Sequence, residues 1–113
     1  MQADEGYPDG MCCDERGRLW LCHWGSGLLS CYGEDGALLH RLKLPVSNVT
    51  RCAFGGDKLD QLFITTAAKG LSSAELAGQP LAGGLFQLDL SSMPGARGFN
   101  LPLFQLTEPP QEQ

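Results

Sequence analysis

Three short stretches carry side chains able to do chemistry on a bound molecule. Pro8-Asp9-Gly10 places a carboxylate on a tripeptide with little freedom. Pro8 fixes its own φ at about −65° and pushes Tyr7 into an extended conformation, while Gly10 permits a tight entry into the strand that follows. A carboxylate held this way can take a proton from water, or it can simply bond the backbone of its own turn. Thr50-Arg51 offers a hydroxyl beside a guanidinium, a pair suited to hydroxyls and to a carboxylate. His23-Trp24 sets an imidazole beside an indole, which suits either a pocket wall or a packed strand end. Cys13, Cys22, Cys31 and His23 are zinc-type donors, yet no close Cys-x-x-Cys pair joins them. Thiols spread over neighbouring strands are core residues more often than ligands.

The segments that must position these groups are short and cut by glycine. Met11-Cys12-Cys13, Leu19–Cys22, Leu28–Tyr32 and Leu38–Leu42 suit strands, and they are separated by Asp14-Glu15-Arg16-Gly17, Gly25-Ser26-Gly27 and Gly33-Glu34-Asp35-Gly36. Such Asp- and Gly-rich connectors favour tight hairpins, so the four strands form an antiparallel meander. The pattern then recurs with Arg51–Phe54, a turn at Gly55-Gly56-Asp57, Gln61–Thr65 and Gly84–Leu88. Cys12 and Cys52 are 40 residues apart, and Leu19 and Leu62 are 43 apart. A period of about 40 to 50 residues with four strands per unit is the signature of propeller blades. In the repeat, Thr50-Arg51 takes the place of Asp9, just before an inner strand lining the central channel. The second unit carries an insertion from Ala67 to Gly83, within which Ser72-Ser73-Ala74-Glu75 has the form of a capped helical turn. A small β-sandwich would satisfy the composition, but not the repetition.

Composition narrows the partners. The net charge of −5, with eight scattered basic residues, disfavours nucleic acid, which draws affinity from clustered Lys and Arg. No apolar run approaches the ~20 residues of a membrane-spanning helix, and the acidic start Met1–Gly6 does not resemble an export signal. A cytoplasmic location is the expectation, with the five cysteines as reduced, buried thiols. Thr107–Gln113, with its paired prolines, is expected to be a disordered tail after a domain spanning 1-106.

The order and separation of three segments carry a family resemblance. Pro8-Asp9-Gly10-Met11 with Asp14 and Gly17, then Leu19–Gly25, then Leu44-Pro45-Val46 with Cys52-Ala53-Phe54-Gly55-Gly56, together resemble the last third of the gluconolactonase, regucalcin and luciferin-regenerating enzyme family, the senescence marker proteins. Gln79–Phe86 is similar to that family at the corresponding place. The resemblance runs from about Tyr7 to Leu90. It implies an all-β fold, part of a six-bladed β-propeller, with about two four-stranded blades and a short helical insertion near 70-80.

The resemblance also implies chemistry. Family members hold a divalent cation in the channel through a Glu, an Asn and the Asp of the Pro-Asp-Gly motif, and they hydrolyse sugar lactones. Asp9 matches that Asp and is the expected metal ligand and catalytic base. Glu5 and Asn48 sit in no matching motif, so the other two ligands belong to blades outside this sequence. Oxygen donors suit Ca²⁺, Mg²⁺ or Mn²⁺, and Zn²⁺ also accepts carboxylates. Arg51, Thr50 and His23 are the expected substrate contacts. Two blades leave faces that a closed ring would cover. The expectation is therefore a lactonase domain that is inactive without its missing blades and completed by a complementary propeller fragment or by further copies. A non-catalytic, self-associating half-propeller scaffold is the alternative.

Overall fold

A computed structural model describes residues 3–99. The expected tail at 107–113 lies outside the described residues. After a 3-10 turn at Ala3–Glu5, the chain runs through β1 (Tyr7–Cys13), β2 (Leu19–Trp24), β3 (Leu28–Tyr32), β4 (Leu38–Lys43), β5 (Asn48–Gly55), β6 (Gln61–Ala67), α1 (Ser73–Gly78) and β7 (Leu85–Asp89). Every strand pairing is antiparallel. The first four strands form the anticipated meander, and β5, β6 and β7 form a second. The second blade therefore shows three strands among the described residues, one fewer than its repeat pattern implied. A single bridge between Trp24 and Asn48 joins β2 to β5 and merges the two blades into one continuous sheet.

Side-chain alternation explains how the blades stack. Trp20 and Cys22 on β2 pair with Cys31 and Leu29 on β3, and all four are buried. They meet Val49, Cys52, Leu62 and Ile64 of the second blade, with Leu44 and Val46 from the connection and Leu90 and Ala96 from the last described segment. Trp20 and Phe54 meet edge to face with centroids 6.3 Å apart. Each fully buried aliphatic side chain contributes about 1.5–3 kcal/mol, so this interblade layer is the main source of stability. The outer strand β4 is exposed at every position. Of the five free cysteines, Cys22, Cys31 and Cys52 are buried, whereas Cys12 is half-buried and Cys13 is exposed. The expectation of five buried thiols is corrected at Cys13, which lies on the outward side of β1.

Two local signals behave as the residue types require. Ser72 caps α1: its hydroxyl accepts from Glu75 N at 3.1 Å, and the Glu75 carboxylate accepts from Ser72 N at 2.9 Å. Gly27 has φ +71°, and a Cβ there would collide with the Val46 carbonyl, so only glycine fits this turn. The starts of β1, β5 and β7 share one end of the sheet with the β2–β3 turn and the β4–β5 connection. The insertion holding α1 is tied to that end by Gln79, whose amide donates to Ser47 Oγ at 2.6 Å and accepts from Ser47 N at 2.8 Å.

Candidate functional site

Asp9 sits within β1, not ahead of it. Pairing slips between Pro8, opposite His23, and Met11, opposite Leu21, so Asp9 and Gly10 together face one residue of β2. That arrangement is a β-bulge, a device that bends a strand and re-aims a side chain. β5 has the same irregularity between Val49, opposite Thr66, and Arg51, opposite Thr65, which leaves Thr50 as the extra residue. The repeat thus places a bulge at equivalent points of both inner strands, with Asp9-Gly10 on one and Thr50 on the other.

The two bulges touch. A Cβ built on Gly10 would lie 2.6 Å from the Thr50 carbonyl oxygen and from Arg51 Cγ, and 2.8 Å from Arg51 Cα. Two of these three atoms are backbone and cannot step aside. Glycine here lets β1 close onto β5 and lets the aliphatic stem of Arg51 lie across the bulge next to Asp9. Gly10→Ala is accordingly expected to cost roughly 1–3 kcal/mol, the usual range for overpacking a tight contact. A urea titration would measure it, and a midpoint unchanged from wild type would mean that the strands separate freely.

Asp9 is exposed, and among the described residues its carboxylate has no hydrogen bond or ion pair. The Arg51 guanidinium is likewise exposed and without an intramolecular partner among the described residues. Thr50 is half-buried, and its hydroxyl lies 2.7 Å from that of Thr65. Arg51 and Thr65 also line an open groove of about 360 Å³ with Cys52, Ala53 and Phe63. Asp9 is not part of that groove. The bulges thus bring Gly10, the neighbour of Asp9, against Thr50 and Arg51, at the end of the sheet that carries the α1 insertion.

His23 is not brought to them. In place of the substrate contact expected of it, His23 is fully buried with both ring nitrogens engaged. Nδ1 lies 2.8 Å from the Glu5 carbonyl, which can only accept, so Nδ1 carries the proton and Nε2 accepts from the Ser30 hydroxyl at 2.8 Å. Ser30 Oγ in turn accepts from Arg41 Nε at 2.9 Å, and Arg41 Nη1 pairs with the Glu5 carboxylate at 2.8 Å. The circuit returns to the residue it began on. Burial opposes the charge on Arg41, but the bond and charge of Glu5 outweigh it and raise its pKa. His23 thus anchors the segment entering β1, and so acts on Asp9 only through the backbone.

Asp14, which the sequence offered as part of the family motif and as a turn residue, has a structural role its neighbours do not signal. Fully buried, it accepts at Oδ1 from the backbone N–H groups of Arg16 and Arg18, both at 3.0 Å. At Oδ2 it accepts from Arg18 Nε at 2.7 Å and from the Trp20 indole at 3.0 Å. Asp-Glu-Arg-Gly signals a turn, but nothing in it signals an indole six residues on. Arg18 reaches further still, donating to the Pro94 carbonyl at 2.7 Å.

A divalent cation finds one suitable donor here, the free carboxylate of Asp9. No group of three His, Cys, Asp or Glu side chains among the described residues could enclose a metal. Any cation at Asp9 needs oxygen donors from elsewhere. Among the described residues no helix is long and apolar enough to cross a membrane.

Comparison with known proteins identifies the family and the fold. Residues 1–68 match the family described as SMP-30/Gluconolactonase/LRE-like region. Regucalcin of Danio rerio is 43% identical over 89 residues, and that of Bos taurus 40%, in each case covering 78% of this chain and 30% of the relative. The chain thus spans less than a third of the length of these relatives. A solved calcium-binding protein, regucalcin from Agrobacterium tumefaciens, superposes with a TM-score of 0.78 and 30% identity over 90% of this chain and 33% of that one. A luciferin-regenerating enzyme superposes with a TM-score of 0.71 and 30% identity, over 87% and 32%.

Proposed function

The chain belongs to the SMP-30/gluconolactonase/LRE-like family, and from that premise we propose that its two propeller blades carry part of the site of a divalent-metal-dependent sugar-lactone hydrolase. Asp9 is its metal ligand and general base. The observation that carries this reading is an exposed carboxylate on an inner-strand bulge, beside a glycine packed on Arg51, with neither Asp9 nor Arg51 partnered among the described residues. An exposed aspartate on a loose turn would be ordinary. One on a strand whose next residue packs against β5 is held in place, and it has no internal partner among the described residues, which suits a group kept for a ligand.

When bound, a divalent cation supplies a Lewis acid for the lactone carbonyl and acidifies a water. Asp9 accepts the proton of the attacking water. The water oxygen bonds the acyl carbon, and the acyl C–O bond of the ring breaks. Its alkoxide takes back the proton held on Asp9 to become a hydroxyl, and the new carboxylic acid loses its proton to solvent as a carboxylate. Arg51 pairs with that carboxylate as it forms, and Thr50 bonds a sugar hydroxyl. Ca²⁺ is the first cation to try, in line with the description of the Agrobacterium relative, followed by Mg²⁺, Mn²⁺ and Zn²⁺. The remaining donors come from other blades of the same ring. Those blades also cover outward apolar groups such as Tyr7 and Leu85, which are 73% and 67% exposed here. The free thiols suit the reducing cytoplasm as the place of work.

The test is a gluconolactone assay on the chain alone and on the chain fused behind the amino-terminal blades of a regucalcin relative, each stripped with chelator and then titrated with cation. Turnover is expected in the fusion only, lost on stripping and restored by the cation. A fusion that binds cation yet leaves the lactone intact would sink the hydrolase reading, and metal-dependent turnover by the monomeric chain would sink the shared site.

A further inference from the structure

The cysteines are a feature that lactone hydrolysis does not use. Cys12 on β1 and Cys52 on β5 stand at matching places in the two blades, and their sulfurs are 3.4 Å apart. Cys52 Sγ also contacts the Trp20 carbonyl at 3.5 Å. Cys12 is half-buried and reachable, while Cys52 is buried behind it. We propose that Cys12 and Cys52 are an oxidative modification site, a thiol pair that closes to a disulfide and staples the inner strands of the two blades together. The inference stands independently of the lactonase reading.

Geometry favours this pair over the other cysteines. A disulfide needs its sulfurs at about 2.05 Å, so side-chain rotation need close only the last part of a contact already made. Cys13 points out to solvent on the opposite side of β1, and Cys31 is buried on β3. Cys22 is the nearest rival, since it lies close enough to Cys52 to raise its pKa, but it is fully buried. An oxidant arriving from solvent meets Cys12 first.

The chemistry balances with a small-molecule disulfide as oxidant. The Cys12 thiol loses its proton and its sulfur attacks one sulfur of the oxidant, expelling one small thiolate and leaving a mixed disulfide. Cys52 then loses its proton and attacks the Cys12 sulfur, expelling the second. Two electrons pass to the oxidant, and the two released protons are taken up by the two small thiolates.

The pair is slow by construction. Its mutual hydrogen bond and burial push the Cys12 thiol far above the ordinary thiol range. For Cys52 the bond with Cys12 lowers the pKa, but the nearness of Cys22 and burial outweigh it and push it up to about 12. Little thiolate exists at neutral pH, and the thiolate is the attacking form. The rate of closure therefore climbs roughly tenfold per pH unit from 7 to 9, where an ordinary thiol of pKa about 8.5 would level off. The staple would lie three residues beyond Asp9 on β1 and two beyond Thr50 on β5, fixing the spacing of the two bulges.

The experiment treats the full chain, natively folded and carrying Cys13→Ser, with oxidised glutathione. Acid quenching, alkylation in denaturant and peptide mass spectrometry follow. The expected product joins the Cys12 and Cys52 peptides with the loss of two hydrogens, raises Tm by roughly 10 °C and forms with the steep pH dependence above. In Cys52→Ser the reaction should stop at a Cys12–glutathione adduct, and if that variant does not fold, the cross-link map of the Cys13→Ser chain decides alone. Recovery of Cys12 and Cys52 both alkylated after oxidation, or a cross-link to Cys22 or Cys31 in their place, would overturn the proposal.

Discussion

Asp14→Ala is expected to remove about 3–5 kcal/mol of stability, the cost of breaking a buried, hydrogen-bonded charge pair. Against a total of about 5–15 kcal/mol for a domain, that is between about a fifth and the whole of its stability. The reason is the convergence on one carboxylate. Without Asp14, two backbone N–H groups, the Arg18 guanidinium and the Trp20 indole lose their acceptor at once. The indole is buried and cannot turn to water. Asp14→Asn is no remedy. Its amide oxygen can serve one side, but its NH₂ must then face donors on the other. Trp20 is itself the reporter, since its fluorescence follows the unfolding in urea. A midpoint within about 1 kcal/mol of wild type for either variant would show that water replaces the carboxylate, and that the β1–β2 turn is less tightly knit than its hydrogen bonds indicate.

Asp9→Asn should do the opposite, abolishing function while sparing the fold. Its carboxylate has no partner among the described residues, so the substitution is expected to alter stability by no more than about 0.5 kcal/mol. In a completed propeller that works as proposed, it removes both an anionic ligand and the base, and lactone turnover is expected to fall by roughly 10³-fold, within the range for a positioned general base. Calorimetry beside the assay separates the two roles. Cation affinity that falls along with kcat places Asp9 on the metal, and unchanged affinity with lost kcat leaves it as the base alone. Unchanged turnover would remove Asp9 from the reaction altogether.

The two aspartates were not equally visible in the sequence. Strands β1 to β7 follow from glycine punctuation and apolar runs, and α1 follows from Ser72 and Glu75, because these signals act between residues close in the chain. The equivalence of Asp9 and Thr50 also follows from the repeat. What the repeat could not show is that both positions are bulges within strands, since register depends on the partner strand. His23 misled for a related reason. Its place at a strand end suits a pocket, and only the fold brings Glu5, Ser30 and Arg41 around it. The contact of Cys12 with Cys52 was half visible, since equal places in adjoining blades lie side by side.

The segment from Leu90 to Gly98 has no periodic pattern at all, yet it folds back across the start of the first blade. Arg18 bonds Pro94, the backbone of Glu15 bonds that of Arg97, and their side chains pair at 3.0 Å, over separations of 76 to 82 residues. In kinetic terms, this is the costliest loop to close among the described residues, and contacts of such separation are expected only after the local hairpins exist. The hairpins can nucleate one by one, but Ala96 reaches its buried seat only once both blades are standing. That stretch is thus a latch on finished work, and its opening is expected to come before the pair of blades separates.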